Sequence, residues 1–159
     1  MERCCKLMHS ISKMSKTQAP IITHFFAVDR GPYGCIWNIY IEAEDPDGDM
    51  DRISVEVNQV GYGHYPTDWI TIKPHHRKHL IGFLQWNTFS SKASYLPEWT
   101  QISVKISVFD KAGNGSNEVI IPFTFESGGN NQYPLPVPFN SGNTPRIGNI
   151  MVDLCYIAI

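Results

Sequence analysis

Residues 35–60, CIWNIYIEAEDPDGDMDRISVEVNQV, constrain the fold more tightly than any other stretch. Cys35, Trp37, Ile39, Ile41 and Ala43 fall on one side of a period-two alternation, and Asn38, Tyr40, Glu42 and Glu44 fall on the other. Successive strand side chains point to opposite faces, so this reads as a strand with one face in a core and one in water. Ile53, Val55 and Val57 alternate in the same way with Ser54, Glu56 and Asn58. Between the two runs lies DPDGDMD, where Pro presets a turn dihedral, Gly tolerates positive φ and Asp bonds its own backbone. No helix survives such a sequence. The two strands form either a hairpin or, in a two-sheet architecture, a pair whose turn crosses from one sheet to the other.

The rest of the chain repeats this grammar. Residues 21–28 read as a first strand apolar on both faces, and 68–73 as a short strand anchored by Trp69. Residues 80–88 read as a strand in which Gly82 marks a bulge or a close approach. In residues 99–109, Ile102, Val104, Ile106 and Val108 face inward. In the last strand Val119, Ile121, Phe123 and Phe125 do the same, and Pro122 places that strand at an edge or a bulge. The expectation is a seven-stranded, antiparallel β-sandwich of immunoglobulin or fibronectin III type, with Trp37 as its core tryptophan. The sixth strand holds no Cys to meet Cys35, so the inter-sheet disulfide is missing. The expected boundaries are an N-terminal arm at 1–18, the sandwich at 19–126, a Gly/Asn/Pro-rich linker at 127–146 and an apolar docking segment at 147–159.

Two turns carry a family resemblance. Ala43-Glu44-Asp45-Pro46-Asp47-Gly48-Asp49 resembles the A-x-D-P-D-G-D turn of bacterial cadherin-like and Ig-like domains. Val108-Phe109-Asp110-Lys111-Ala112-Gly113-Asn114 resembles the V-x-D-x-A-G-N turn near the end of such domains. The resemblance spans residues 19–126. It implies a β-sandwich used for adhesion, recognition or spacing, in a periplasmic, extracellular or surface setting. The first eighteen residues carry no apolar stretch of leader type, and no run reaches the length of a membrane helix.

A formal charge of −2 offers no basic face for nucleic acid. The four cysteines, Cys4, Cys5, Cys35 and Cys155, have no metal-binding or haem spacing and read as free thiols. No nucleophile elbow, HExxH or phosphate loop is present, so the expected function is non-enzymatic and without an obligatory cofactor.

Three constellations remain. Asp45, Asp47 and Asp49 mimic the start of an EF-hand loop, but Met50 stands where Gly is required and a strand follows. In a sandwich, Asp110 and Asn114 come to the same pole, so Asp45, Asp47, Asp49, Asp110 and Asn114 are candidate calcium ligands; the alternative is a set of solvated turn-formers. His75, His76 and His79 read as a basic loop with no second ligand pair for zinc. Tyr62 and Tyr65, on a Gly-rich loop, are candidates for contacting a protein or a sugar, whereas Trp69 and Trp99 read as core or rim.

The apolar end, with Ile150, Val152, Leu154 and Tyr156 as its contact residues, must dock on its own sheet or on the edge of a partner. The leading expectation is a binding, adhesion or assembly module with its tails docked on a partner or a neighbouring copy. The alternatives are a carbohydrate-binding accessory domain and a small subunit of a larger complex.

Overall fold

The structure, a computed structural model, describes residues 17–128 and 133–157. The expected arm falls outside these residues except for Thr17 and Gln18. In chain order the described strands are β1 (Ile21–Phe26), β2 (Arg30–Gly31), β3 (Ile36–Glu44), β4 (Met50–Gln59), β5 (Gly63–His64), β6 (Asp68–Thr71), β7 (His79–Asn87), β8 (Gln101–Asp110), β9 (Val119–Phe125) and β10 (Arg146–Asn149). Among the described residues a single 3₁₀ turn, Pro74–His76, precedes β7.

The strands form two facing sheets. One has the order β1-β3-β7-β10, and the other β2-β9-β8-β4-β5 with β6 also on β4. All seven expected strands are present, as β1, β3, β4, β6, β7, β8 and β9, and they divide into three strands against four. The fold is an Ig-like β-sandwich. β3 and β4 lie in different sheets, so the DPDGDMD turn is a corner between sheets and not a hairpin. The strand count is larger than expected because β2, β5 and β10 are too short, or too glycine-rich, to display a period. Two of them also depart from the expected antiparallel pattern: β2 lies parallel to β9 and β10 parallel to β7.

The inward faces are those the alternation names. Trp37, Ile39, Ile41 and Ala43 from β3 meet Ile53, Val55 and Val57 from β4 and Val104, Ile106 and Val108 from β8, all buried. Trp37 donates its indole N–H to the Val28 carbonyl at 2.9 Å and packs on Phe123 of the opposite sheet with ring centroids 4.5 Å apart. A buried indole satisfied in this way contributes its full apolar area to the core. Pro122 sits in β9 where only β8 flanks it, since β2 pairs with β9 at Thr124 and Phe125. Cys35 and Cys155 are free thiols.

Among the described residues, 133–157 do not behave as a linker followed by a separate docking segment; residues 129–132 of the expected linker and 158–159 of the expected docking segment lie outside the described residues. Phe139 is buried on the outer face of the β1-β3-β7-β10 sheet, 5.6 Å from the Tyr40 ring. β10 then extends the sheet, with Arg146 opposite Phe83 and Asn149 opposite Gln85. Gly82 explains how it seats. A Cβ there would overlap Ile147 and stand 2.6 Å from the Pro145 carbonyl oxygen, so Ile147 fills the core space that Gly82 leaves. This is the close approach that a glycine inside a strand signals. Ile150 and Leu154 are buried beyond it. The expected sandwich boundary at residue 126 is therefore too early, because the core runs through Leu154.

Candidate functional sites at the two poles

The first pole is the acidic corner. Asp45 is buried, and its carboxylate accepts the Asp47 N–H at 3.1 Å on Oδ1 and the Asp49 N–H at 3.3 Å on Oδ2. It therefore holds the turn in an Asx-type conformation. Carboxylate oxygens of Asp45, Asp47 and Asp49 lie within 4.8 Å of one another. Asp49 Oδ1 is buried without a hydrogen-bond partner among the described residues. Its close approach to Asp45, then its burial, then the charges of Asp45, Asp110 and Asp47, push the Asp49 carboxyl up to about 6. Crowded carboxylates resist ionising together, and one of them keeps its proton to higher pH.

The other two expected calcium ligands come near but are engaged. Asp110 stands opposite Met50 and is buried. Its Oδ1 accepts the Asn114 backbone N–H at 2.8 Å, and its Oδ2 accepts the Asn114 side-chain amide at 3.0 Å. Asn114 thus serves the β8–β9 turn, and its amide also donates to Thr17 Oγ1 at 3.1 Å. The sandwich brings all five residues to one pole, where Asp45, Asp47 and Asp49 converge while Asp110 and Asn114 bond to each other.

The second pole lies at the other end of β4 and β8. Here Val60, Gly61, Pro97, Trp99, Gln101 and Ile157 line a groove of about 360 Å³. Trp99 is 70% exposed and holds a φ of +64°. A bulky residue with positive φ is a backbone outlier, sustained only where its surroundings fix it. Two bonds do so: Trp99 N–H donates to the Phe125 carbonyl at 2.8 Å, and Thr100 N–H donates to the Pro97 carbonyl at 3.1 Å. Trp99 therefore precedes β8 as a displayed side chain and is neither core nor part of the strand. The core or rim position expected for Trp99 does not hold, because alternation cannot register a residue outside the strand.

The two tyrosines expected to bind part company. Tyr62 is 50% exposed, and its ring stacks on Tyr65 with centroids 4.6 Å apart. Tyr65 is buried and structural: its hydroxyl bonds to Gln59 Oε1 and accepts the Cys155 N–H at 2.8 Å. The C-terminal candidates also divide. Ile150 and Leu154 are committed to the protein's own core, and the half-buried Val152 gives its carbonyl to Trp86 Nε1 at 3.1 Å. Tyr156 remains on the surface, its hydroxyl accepting from Tyr95 at 3.1 Å. Trp69 lies at the rim, with the Arg52 guanidinium 4.2 Å above its ring.

No protein-family model matches the chain. No curated protein matches it either. Among solved structures, the PKD domain of an M14-like peptidase from a Thermoplasmatales archaeon aligns with a TM-score of 0.43 at 15% identity, over 70% of this chain and 99% of that one. The CARDB domain of the PF1109 protein from Pyrococcus furiosus, in complex with di-metal ions, aligns with a TM-score of 0.39 at 8% identity, over 70% of this chain and 96% of that one.

Proposed function

We propose that this domain is a non-catalytic recognition module that contacts a protein partner through the groove beside Trp99. The observation that carries this reading is the indole held out at 70% exposure by a strained, doubly braced turn. Exposed aromatics beside an apolar groove are the usual anchors of protein interfaces. A sugar ligand is the weaker alternative, because the groove is mainly apolar and the Gln59 amide is already engaged by Tyr65 and the Cys155 carbonyl. The C-terminal segment is not a free arm in this reading: its described residues are built into the domain, and Ile157 contributes to the groove wall. A photo-crosslinking residue at Val60, on the groove wall beside the intact indole, compared with one at the exposed Lys111 on the opposite pole, tests it. A discrete adduct from position 60 alone, lost on Trp99→Ala, supports a protein partner. Equal labelling from both positions, or none together with a signal on a glycan array that Trp99→Ala abolishes, replaces it with the alternatives.

A second element of the proposal is calcium at Asp45, Asp47 and Asp49, favoured by the buried, unpartnered Asp49 Oδ1. Hard cations take carboxylate oxygens, and an ion here would tie the β3 and β4 ends together across the sheets. Titration calorimetry with calcium should give heat and a raised melting temperature, both lost in Asp45→Asn. Silence in the parent protein rejects the site.

A further inference from the structure

On the outer face of the β1-β3-β7-β10 sheet, side chains from three neighbouring strands meet around Glu42. The register sets this up: His24 stands opposite Glu42, and Glu44 stands opposite His79. Alternation sends all four outward, away from the core. The Glu42 side chain is only 13% exposed, although it lies on an outer face. His24 Nδ1 lies 3.0 Å from its Oε1, His79 Nε2 lies 3.2 Å from its Oε2, and Thr23 Oγ1 donates to Oε1 at 3.0 Å. Burial alone would raise the Glu42 carboxyl, but hydrogen bonds from Thr23, His24 and His79 outweigh it and hold the group below its ordinary value. Ligand atoms of Glu42, Glu44 and His79 all lie within 4.8 Å of one another.

We propose that Glu42, Glu44 and His79 bind a divalent first-row transition ion such as zinc, with His24 as the residue that positions Glu42. The donor set decides the class of ion. An imidazole with two carboxylates suits zinc and its neighbours, whereas calcium wants an all-oxygen shell of six or more. Ligand atoms on a tetrahedral zinc stand about 3.3 Å apart, given bonds of about 2.0 Å, and one pair already matches, while Glu44 lies within 4.8 Å of both. His79 Nε2 and Glu42 Oε2, at 3.2 Å, already keep that separation. His24 holds the other oxygen of the same carboxylate, the arrangement by which an outer partner fixes a ligand's orientation. Three protein ligands leave a fourth position open, and Glu44 and His79 border a groove of about 330 Å³ lined also by Ile21, Thr23, Asp45 and Lys78. That position takes water or a small anionic ligand. The site adjoins the acidic corner, whose Asp45 follows Glu44 and borders the same groove, but its three ligands are distinct from Asp45, Asp47 and Asp49.

The test is zinc titration of the full chain against a chromophoric chelator, with cobalt as a spectroscopic substitute. Expected are one zinc per chain, a roughly tenfold or greater loss of affinity in His79→Ala and Glu44→Gln, and a smaller loss in His24→Ala. Lys78→Ala should bind at least as tightly as the parent, because it removes a competing cation. The cobalt complex should show the comparatively intense visible d–d bands of a four-coordinate ion without the near-ultraviolet charge-transfer band that a thiolate ligand would produce. Glu44 and His79 are exposed, so these variants keep the core, and a melting curve of each metal-free variant verifies it. Absence of binding tighter than about 100 µM overturns the proposal. So does binding that survives the Glu44→Gln/His79→Ala double variant, binding that falls only with His75→Ala/His76→Ala, or a thiolate-dominated cobalt spectrum.

Discussion

Asn117 pairs with both main-chain groups of Ile22, its Oδ1 accepting the Ile22 N–H at 2.8 Å and its Nδ2 donating to the Ile22 carbonyl at 3.1 Å. One side chain thereby does what a neighbouring strand would do for the open edge of β1, and it ties that edge to the β8–β9 turn of the other sheet. Asn117→Ala should strand two partly buried backbone groups and cost about 1–3 kcal/mol in denaturant unfolding. Asn117→Asp, which keeps the acceptor and loses the donor, should fall between the two. An unchanged midpoint in the alanine variant would mean that water replaces both bonds.

Gly82 and Ile147 share one core position. Gly82→Ala should destabilise by roughly 1–3 kcal/mol through overpacking against Ile147 and the Pro145 carbonyl. Leu154→Ala, deep in the same region, should cost about 2–5 kcal/mol by leaving a cavity. Truncation after Glu126 removes Phe139, Ile147, Ile150 and Leu154 together and should abolish cooperative unfolding. Calorimetry of the truncated chain gives the answer, and a sharp transition near the parent's would refute the built-in role of the segment.

Tyr65 braces the C-terminal segment through its hydroxyl. Tyr65→Phe leaves Gln59 Oε1 and the Cys155 N–H without that partner, and should cost about 1–3 kcal/mol. Tyr62→Ala, at the exposed end of the same stack, should cost less than half as much. Equal losses at the two positions would show that ring stacking, and not the hydroxyl, holds the segment.

Asp49 sets a pH dependence with a definite sign. Its carboxyl stands at about 6 in the fold against an ordinary 3.8. The folded chain binds this proton more tightly than the unfolded chain, so the group favours folding in acid. That contribution fades as pH rises from about 4 through about 6. Without calcium, Asp49→Asn should melt higher than the parent at pH 7.5 and close to it at about pH 4. Melting scans across that range check it, and parallel curves for the two proteins would contradict the crowding of Asp49 by Asp45 and Asp110.

The long strands were legible because each has one wet face. Trp37 to Ala43 and Ile102 to Val108 announce themselves by alternation, and Pro122 and Gly82 mark an edge and a close approach. The partner at Gly82 was not legible, because β10 has four residues and meets β7 in parallel across a long connection. Period-two patterns say nothing about which distant segment completes a sheet. The acidic corner was readable as a pole because Asp45 lies at the β3–β4 corner and Asp110 ends β8 at the β8–β9 turn, and a sandwich must bring the two connections together. Trp99 and the His24–Glu42–His79 ladder were not: the first depends on a backbone angle, and the second on register across three strands.

The parallel addition of β10 to β7 carries a consequence for assembly. The interactions that seat Ile147 over Gly82 are the same whether the segment comes from its own chain or from a second copy. A closed monomer and a tail-exchanged dimer therefore share their contacts and differ mainly in chain entropy and concentration. Conditions that open β10 in concentrated protein should favour reciprocal exchange, and dilution should return the closed form.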